Sequence, residues 1–160
     1  MQIEMINASL SDLLSFHENL LKLSFEKKEV LIKGDTDQLR TITGKEQKLI
    51  KAIQKKDHEL QLNCNGFLGS EQKQTLNDVI NKVDDQTKDV LIEIKQQLEE
   101  VLSLIRTQND TNQQLIKQSL QFIEISIDLL NPDIDSYNYN RSESKNPYEK
   151  EGYSIFESKI

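Results

Sequence analysis

The sequence predicts an all-α protein, an elongated antiparallel bundle or coiled coil of three long helices with a flexible C-terminal tail. Leu, Ile, Lys, Glu and Gln dominate the composition, whereas the chain has 5 Gly, 2 Pro and no Trp. Apolar residues recur every three or four positions over long stretches, which is typical of amphipathic helices. Both prolines fall after residue 131. We therefore assign residues 1–131 to the helical domain and residues 132–160 to the tail.

The first predicted helix covers residues 3–33, which is about 30 residues and roughly 45 Å in length. Gly34 can take the left-handed conformation that ends a helix, and Asp35 can cap the next helix, with Gln38 completing a capping box. A linker this short makes the first two helices antiparallel neighbours. The apolar stripe of the first helix includes Ile6, Leu10, Leu13, Leu20 and Leu31.

The second predicted helix ends near residues 63–66, before a loop at Phe67–Gly69. Ser70 is a good N-cap for a shorter helix that includes residues 76–83. This shorter helix either breaks near Asp84 or runs on into the last one, so the last helix can be subdivided. The apolar stripe of the second helix consists of Leu39, Ile42, Leu49, Ile53 and Leu60.

The last helix is the longest predicted element and ends at Asn131, because Pro132 disfavours the α conformation in the residue before it. Its polar residues Gln108, Asn109 and Asn112 either set the register of a coiled coil, which we favour, or form a soft spot that opens for a partner helix. The heptad seam consists of Leu91, Ile94, Leu98, Val101, Ile105, Leu115, Phe122 and Leu129.

An adjacent row on the same helix contains Leu120, Ile123, Ile127 and Leu130. We favour core for this row, and if this helix outlasts its shorter neighbours, part of the row is instead an exposed groove that binds a partner. The tail beyond it has no helical period and holds all 4 tyrosines. It is either a disordered linker or a segment that folds on binding, and its aromatic residues favour the second interpretation. The candidate anchors in the tail are Tyr137, Tyr139, Phe156 and Ile160.

Charge and composition argue against several classes of partner. The formal net charge is -7, and the lysines mostly neighbour acidic residues, so we expect no nucleic acid partner. No apolar stretch approaches 18 residues and the N-terminus lacks a signal-peptide pattern, so we expect no membrane insertion. Cys64 is the single cysteine, which fits a reducing compartment, and we expect a cytoplasmic protein.

The sequence offers little for catalysis, so we predict that the protein is not an enzyme and has no cofactor. His17 and His58 are the 2 histidines, and with one cysteine they do not supply the clustered ligands that zinc needs. A four-helix histidine phosphotransfer domain would need a glycine soon after the histidine for phosphate access, and neither histidine has one. No Gly-rich phosphate loop is present.

Several short elements in this order are shared with a known family. They are Leu10, Leu13 and Leu14; then Glu26, Leu31, Gly34-Asp35 and Leu39; then Lys45-Glu46 and Leu49; then Asn109, Asn112, Leu115, Ser119-Leu120 and Leu129; and last the tail from Tyr148 to Gly152 and from Ser154 to Ile160. On these elements the chain resembles the FlgN family of flagellar export chaperones.

The resemblance implies a specific function. Such chaperones bind the hook-associated proteins FlgK and FlgL, keep a C-terminal helical segment of the client soluble, and deliver it to the flagellar type III export gate. They hydrolyse nothing. The family's client contacts lie around the last helix and the region after it, which corresponds here to the row from Leu120 to Leu130 and to the aromatic residues of the tail.

Two other functions are compatible with the sequence. The chain could be a structural coiled coil that self-associates through the last helix, or a chaperone for another secreted flagellar client such as flagellin. Strong homodimerisation without any effect of deleting the tail would distinguish the first from an export chaperone. The sequence leaves the oligomeric state open.

Overall fold

The computed structural model describes residues 2–69 and 74–130, which form four helices. These are α1 (Gln2–Lys33), α2 (Thr36–Leu68), α3 (Leu76–Ile80) and α4 (Asp85–Leu130). No strand occurs in these two ranges, and the predicted all-α fold with three long helices is confirmed. None of the helices in the described ranges is long and apolar enough to cross a membrane. The chain divides into one compact unit of residues 1–119 and a second unit that begins at Leu120.

The turn between α1 and α2 has the left-handed glycine and the N-cap that the sequence predicts, without a reciprocal hydrogen bond from the Gln38 side chain. Gly34 has φ of 70°, the left-handed conformation that glycine adopts without strain. The Asp35 side chain accepts a hydrogen bond from the Gln38 backbone amide at 2.9 Å, so Asp35 caps the start of α2. The chain reverses within two residues, which places α1 and α2 side by side.

Three side-chain contacts fix α1 and α2 as antiparallel neighbours. Ser9 meets Asn63 at 3.4 Å, Asp12 meets Lys56 at 3.1 Å, and Lys27 meets Glu46 at 2.9 Å. As the residue number increases along α1, the number of its partner on α2 decreases, so the two helices are antiparallel. The Lys27–Glu46 pair is mostly shielded from water, so it contributes more than an exposed pair would.

The end of α2 differs from the prediction. The helix continues through residues 63–66 and stops only at Leu68, where Gly69 forms a left-handed cap with φ of 61°. Tertiary contacts hold this last turn in helical form: Cys64 is buried in the core, and Asn65 accepts hydrogen bonds from the Gln74 amide and the Gln61 side chain at 3.0 Å each. These contacts offset the low helix propensity of Asn and Gly.

The short helix α3 begins later than the sequence predicts. Thr75 is its N-cap, and the Thr75 and Asp78 side chains form a reciprocal capping box. The predicted cap at Ser70 lies outside the described residues. Helix α4 then starts at Asp85, because the Asp84 carboxylate accepts hydrogen bonds from the Thr87 amide at 3.0 Å and from its hydroxyl at 2.8 Å. The break near Asp84 is therefore real.

The main core lies where the start of α1, the end of α2, α3 and the start of α4 meet. It consists of buried residues from all four helices: Ile6, Leu10, Cys64, Val79, Ile80 and Leu91. Helix α4 also reaches α1 further along, because the Asn112 side chain donates a hydrogen bond to the Ser24 carbonyl. Since higher numbers in α4 meet higher numbers in α1, these two helices run parallel within residues 1–119.

Candidate partner-binding surface

A buried polar layer lies between α1 and α4. The Asn112 side-chain amide donates to the Ser24 carbonyl at 2.9 Å and accepts from Gln108 at 3.2 Å. The Ser24 hydroxyl donates to the Leu21 carbonyl at 2.7 Å. Ser24, Gln108 and Asn112 are buried, whereas Asn109, which the sequence placed in the same layer, is exposed. Burial with hydrogen-bond partners supports a register-setting role.

The two histidines have separate surroundings. His17 is half-buried on α1, and its ring nitrogen Nδ1 lies 2.7 Å from the Leu13 carbonyl, which is a structural contact. His58 is exposed on α2. Within residues 2–69 and 74–130, no group of three or more His, Cys, Asp or Glu side chains is placed to hold a metal ion.

The end of α4 exposes the row that the sequence singled out. Leu120, Ile123, Ile127 and Leu130, which we call the Leu120 row, are between 53% and 85% exposed. The interpretation of this row as core is therefore wrong in the single chain. Leu120, Ile123, Ile127 and Leu130 follow one another at helical spacing, so their side chains lie on one face of the helix.

A second exposed row lies on the same stretch of α4. Phe122, Ile125 and Leu129, which we call the Phe122 row, are between 59% and 77% exposed. The sequence places Phe122 and Leu129 on the heptad seam, and its spacing did not single out Ile125. At about 100° per residue, this row is rotated by more than 100° from the centre of the Leu120 row. The sequence signal for the Phe122 row is that apolar residues over positions 115–130 occupy more of the helix circumference than a single stripe.

The two serines between the rows do not interrupt the apolar surface with free hydroxyls. Ser119 donates its hydroxyl to the Leu115 carbonyl at 2.9 Å, and Ser126 donates to the Phe122 carbonyl at 2.7 Å. Both side chains satisfy their hydrogen bonds on their own helix. The Leu120 row and the Phe122 row therefore form one continuous apolar arc of about 220° around the helix.

The remaining side of this helix end is acidic. Between residues 118 and 130 the charged residues are Glu124 and Asp128, with no Lys or Arg. They lie on the polar arc that borders both apolar rows at helical spacing. A partner with basic residues beside its apolar stripe would complement this charge.

The exposed side chains carry enough apolar surface to bind a partner. Scaled by their exposed fractions, covering the Leu120 row contributes about 4–8 kcal/mol, the Phe122 row about 3–6 kcal/mol, and both together about 7–14 kcal/mol. Association costs about 4–15 kcal/mol in lost translational and rotational freedom. Either row alone offsets only the lower part of this cost range, whereas both rows together offset most of it.

Four of the sequence-predicted anchor residues lie outside the described part of the chain. They are Tyr137, Tyr139, Phe156 and Ile160. Their participation in the surface stays a prediction, as does the division of the chain into residues 1–131 and 132–160.

An all-α bundle that exposes an apolar helix end of this width has the features of a protein-binding helical domain. The family model described as FlgN protein matches residues 1–147. The chain therefore belongs to the FlgN family of flagellar export chaperones. It is also 35% identical over 159 residues to the protein YvyG of Bacillus subtilis (strain 168), described as uncharacterized, with 99% of each chain covered. No solved structure matches the chain significantly.

Proposed function

We propose that the protein is a cytoplasmic export chaperone for hook-associated proteins of the FlgK/FlgL type. It keeps the C-terminal helical segment of the client soluble and delivers the client to the flagellar type III export gate. It performs no catalysis and needs no cofactor. The observation that carries this proposal is the exposed Leu120 row on a chain that belongs to the FlgN family.

The physical basis is helix-in-groove recognition. A client segment that forms coiled coils after assembly carries an apolar stripe that would aggregate in the free client. The Leu120 row offers apolar side chains at the same 3–4 spacing, so a client helix can cover it. Tyr137, Tyr139, Phe156 and Ile160 are proposed as further anchors, because aromatic residues contribute strongly to interfaces.

The experiment is a pull-down from a flagellated host with the tagged full-length protein, with proteins identified by mass spectrometry. We expect a FlgK/FlgL-type protein in stoichiometric amount. The double variant Ile123→Gln/Ile127→Gln should lose the client. The matched control is Phe25→Gln/Ile32→Gln, which removes two exposed apolar residues of α1 and should retain it.

A chain that ends at Asn131 tests the tail in the same experiment. Reduced capture by this chain would place part of the client site after Pro132. Recovery of the bait alone as a stable homo-oligomer, with or without the tail, would favour a structural coiled coil instead. Stoichiometric capture of flagellin in place of a hook-associated protein would keep the chaperone function and change the client.

A further inference from the structure

We infer that the client encloses the end of α4 with two amphipathic helical segments, one on the Leu120 row and one on the Phe122 row. This inference rests on the proposed function and specifies the chemistry of its partner. A single client helix laid along one face is the simpler arrangement, and the described residues of α4 argue against it.

The width of the apolar arc is the first argument. A helix that packs on one partner needs an apolar stripe of about 100°. The Leu120 row and the Phe122 row together span about 220°, with the hydroxyls of Ser119 and Ser126 turned onto their own helix between them. One helix laid on the Leu120 row would leave Phe122 and Leu129, which are 72% and 77% exposed, in water.

The energetics of the two rows is the second argument. Each row alone offsets only the lower part of the range for the cost of association, whereas both rows together offset most of that range. A client that covers both rows is therefore held more tightly than a client that covers a single row. Two client segments around the end of α4 bury this additional apolar surface without any lengthening of α4.

The acidic residues at the end of α4 indicate which charged residues the two client segments carry. Glu124 lies beside the Leu120 row and Asp128 beside the Phe122 row at helical spacing. Each client segment would therefore meet one carboxylate at its edge. We expect both segments to carry Lys or Arg next to the apolar stripe.

A second copy of this chain is a poorer occupant. Residues 120–130 are about 16 Å long as a helix, and two such ends with the same acidic residues would bring like charges together. A helix end this short buries less area than a stable homodimer of standard size requires. The chain's own residues 132–160 are the remaining possible occupant, and the binding experiment below distinguishes them from the client.

The binding test uses the full-length chain and a full-length FlgK-type protein from the same organism, with affinity measured by isothermal titration calorimetry. Ile123→Gln/Ile127→Gln alters the Leu120 row, Phe122→Gln/Leu129→Gln alters the Phe122 row, and Phe25→Gln/Ile32→Gln is the control. We expect each row variant to weaken binding by at least tenfold and the control by less than threefold. Circular dichroism should show equal helix content in all four proteins.

The geometric test places a photoreactive benzoylphenylalanine at Leu120 or at Phe122, with the adducts mapped by mass spectrometry. We expect adducts from the two positions in two client segments that are separated in the client sequence. Adducts from both positions in one continuous client helix would overturn the inference.

The outcomes separate the inference from the proposed function. If the wild-type chain binds and the Phe122-row variant binds equally well, the two-sided arrangement is wrong and the chaperone function stands. If the Phe122-row effect disappears in a chain that ends at Asn131, that row belongs to the chain's own tail and the inference is again wrong. If the wild-type chain does not bind the client, the proposed function fails and the inference fails with it.

Discussion

At the scale of single residues, Asn112 connects two helices through an interaction that only a polar side chain can make. It is 3% exposed, donates to the Ser24 carbonyl of α1 and accepts from Gln108 on its own helix. A leucine here would add apolar surface but would leave Gln108 with a buried amide and no partner. Such a layer gives up some stability in return for a defined register.

We expect Asn112→Ala to lower the free energy of unfolding by about 1–3 kcal/mol, because it removes two buried hydrogen bonds and leaves polar groups without partners. Urea denaturation followed by circular dichroism measures this change. The control is Asn109→Ala, an exposed position, which should change stability by less than about 0.5 kcal/mol. Equal effects of the two substitutions would show that the polar layer does not contribute to stability.

Two capping carboxylates predict a pH dependence of stability. The hydroxyl and amide of Thr75 lower the pKa of Asp78 below its ordinary value, and the amide and hydroxyl of Thr87 lower the pKa of Asp84. A folded-state pKa below the unfolded value means that the stabilisation is fully present above the unfolded pKa of 3.8. It is lost as the pH falls through the folded-state pKa.

We expect Asp84→Asn to keep the N-cap of α4 at neutral pH, since Asn caps about as well as Asp, and to reduce the loss of stability below pH 4. Thermal unfolding at pH 6 and at pH 3 measures both effects. Asp57→Asn, which changes an exposed residue inside α2, serves as the control. A loss of stability for Asp84→Asn at pH 6 as large as the wild type suffers at pH 3 would contradict the capping role.

At the scale of helices, local signals predicted some boundaries and failed at others. The Gly34–Asp35 turn follows from residues that act on their own backbone, so it could be read from the sequence. The break at Asp84 was one of two alternatives that the sequence left open, and the Asp84 cap decides between them. The end of α2 could not be read from the sequence, because Cys64 is held by contacts with residues far away in the chain, and Asn65 accepts a hydrogen bond from the Gln74 amide beyond the helix. Those contacts override the helix-ending tendency of an Asn-Cys-Asn-Gly sequence.

Glycine substitutions on α2 should change stability in opposite directions. Gly44 lies inside the helix, and a Cβ added there would have no atom within 4 Å, so Gly44→Ala should raise the free energy of unfolding by about 0.5–1 kcal/mol. Gly69 has φ of +61°, so Gly69→Ala should lower it by about 1 kcal/mol or more. Urea denaturation of both variants checks the sign, and two stabilising results would contradict the left-handed cap.

The candidate site was predictable at this scale only in part. The spacing of Leu120, Ile123, Ile127 and Leu130 identified an apolar row, but spacing alone cannot tell a core stripe from an exposed one. That distinction depends on whether another helix covers the row, which is a tertiary property. The same holds for Phe122 and Leu129 on the heptad seam, because a heptad position predicts burial only where a partner helix is present.

At the scale of the whole molecule, the buried residues and the proposed binding surface occupy different parts of the chain. The buried residues and the polar layer lie within residues 2–119, whereas residues 120–130 carry most of the strongly exposed apolar side chains of α4. The described part of the second unit is exposed almost throughout. Substitutions in it should therefore affect binding more than folding.

We expect a chain that ends at Ser119 to unfold within a few degrees of the full-length protein, because the removed residues of α4 bury little surface. It should show no measurable binding of a FlgK-type client. Differential scanning calorimetry and titration calorimetry measure the two properties. A large drop in the unfolding temperature would show that residues 120–160 also support the fold.

The buried position of Cys64 has a practical consequence. It is 2% exposed, it is the single cysteine of the chain, and burial raises the pKa of its thiol. A thiol reagent can reach it only when the core formed by all four helices opens. The rate of its modification thus reports local opening of that end of the bundle, and a surface cysteine introduced at Leu120 could carry a fluorophore with little competing label.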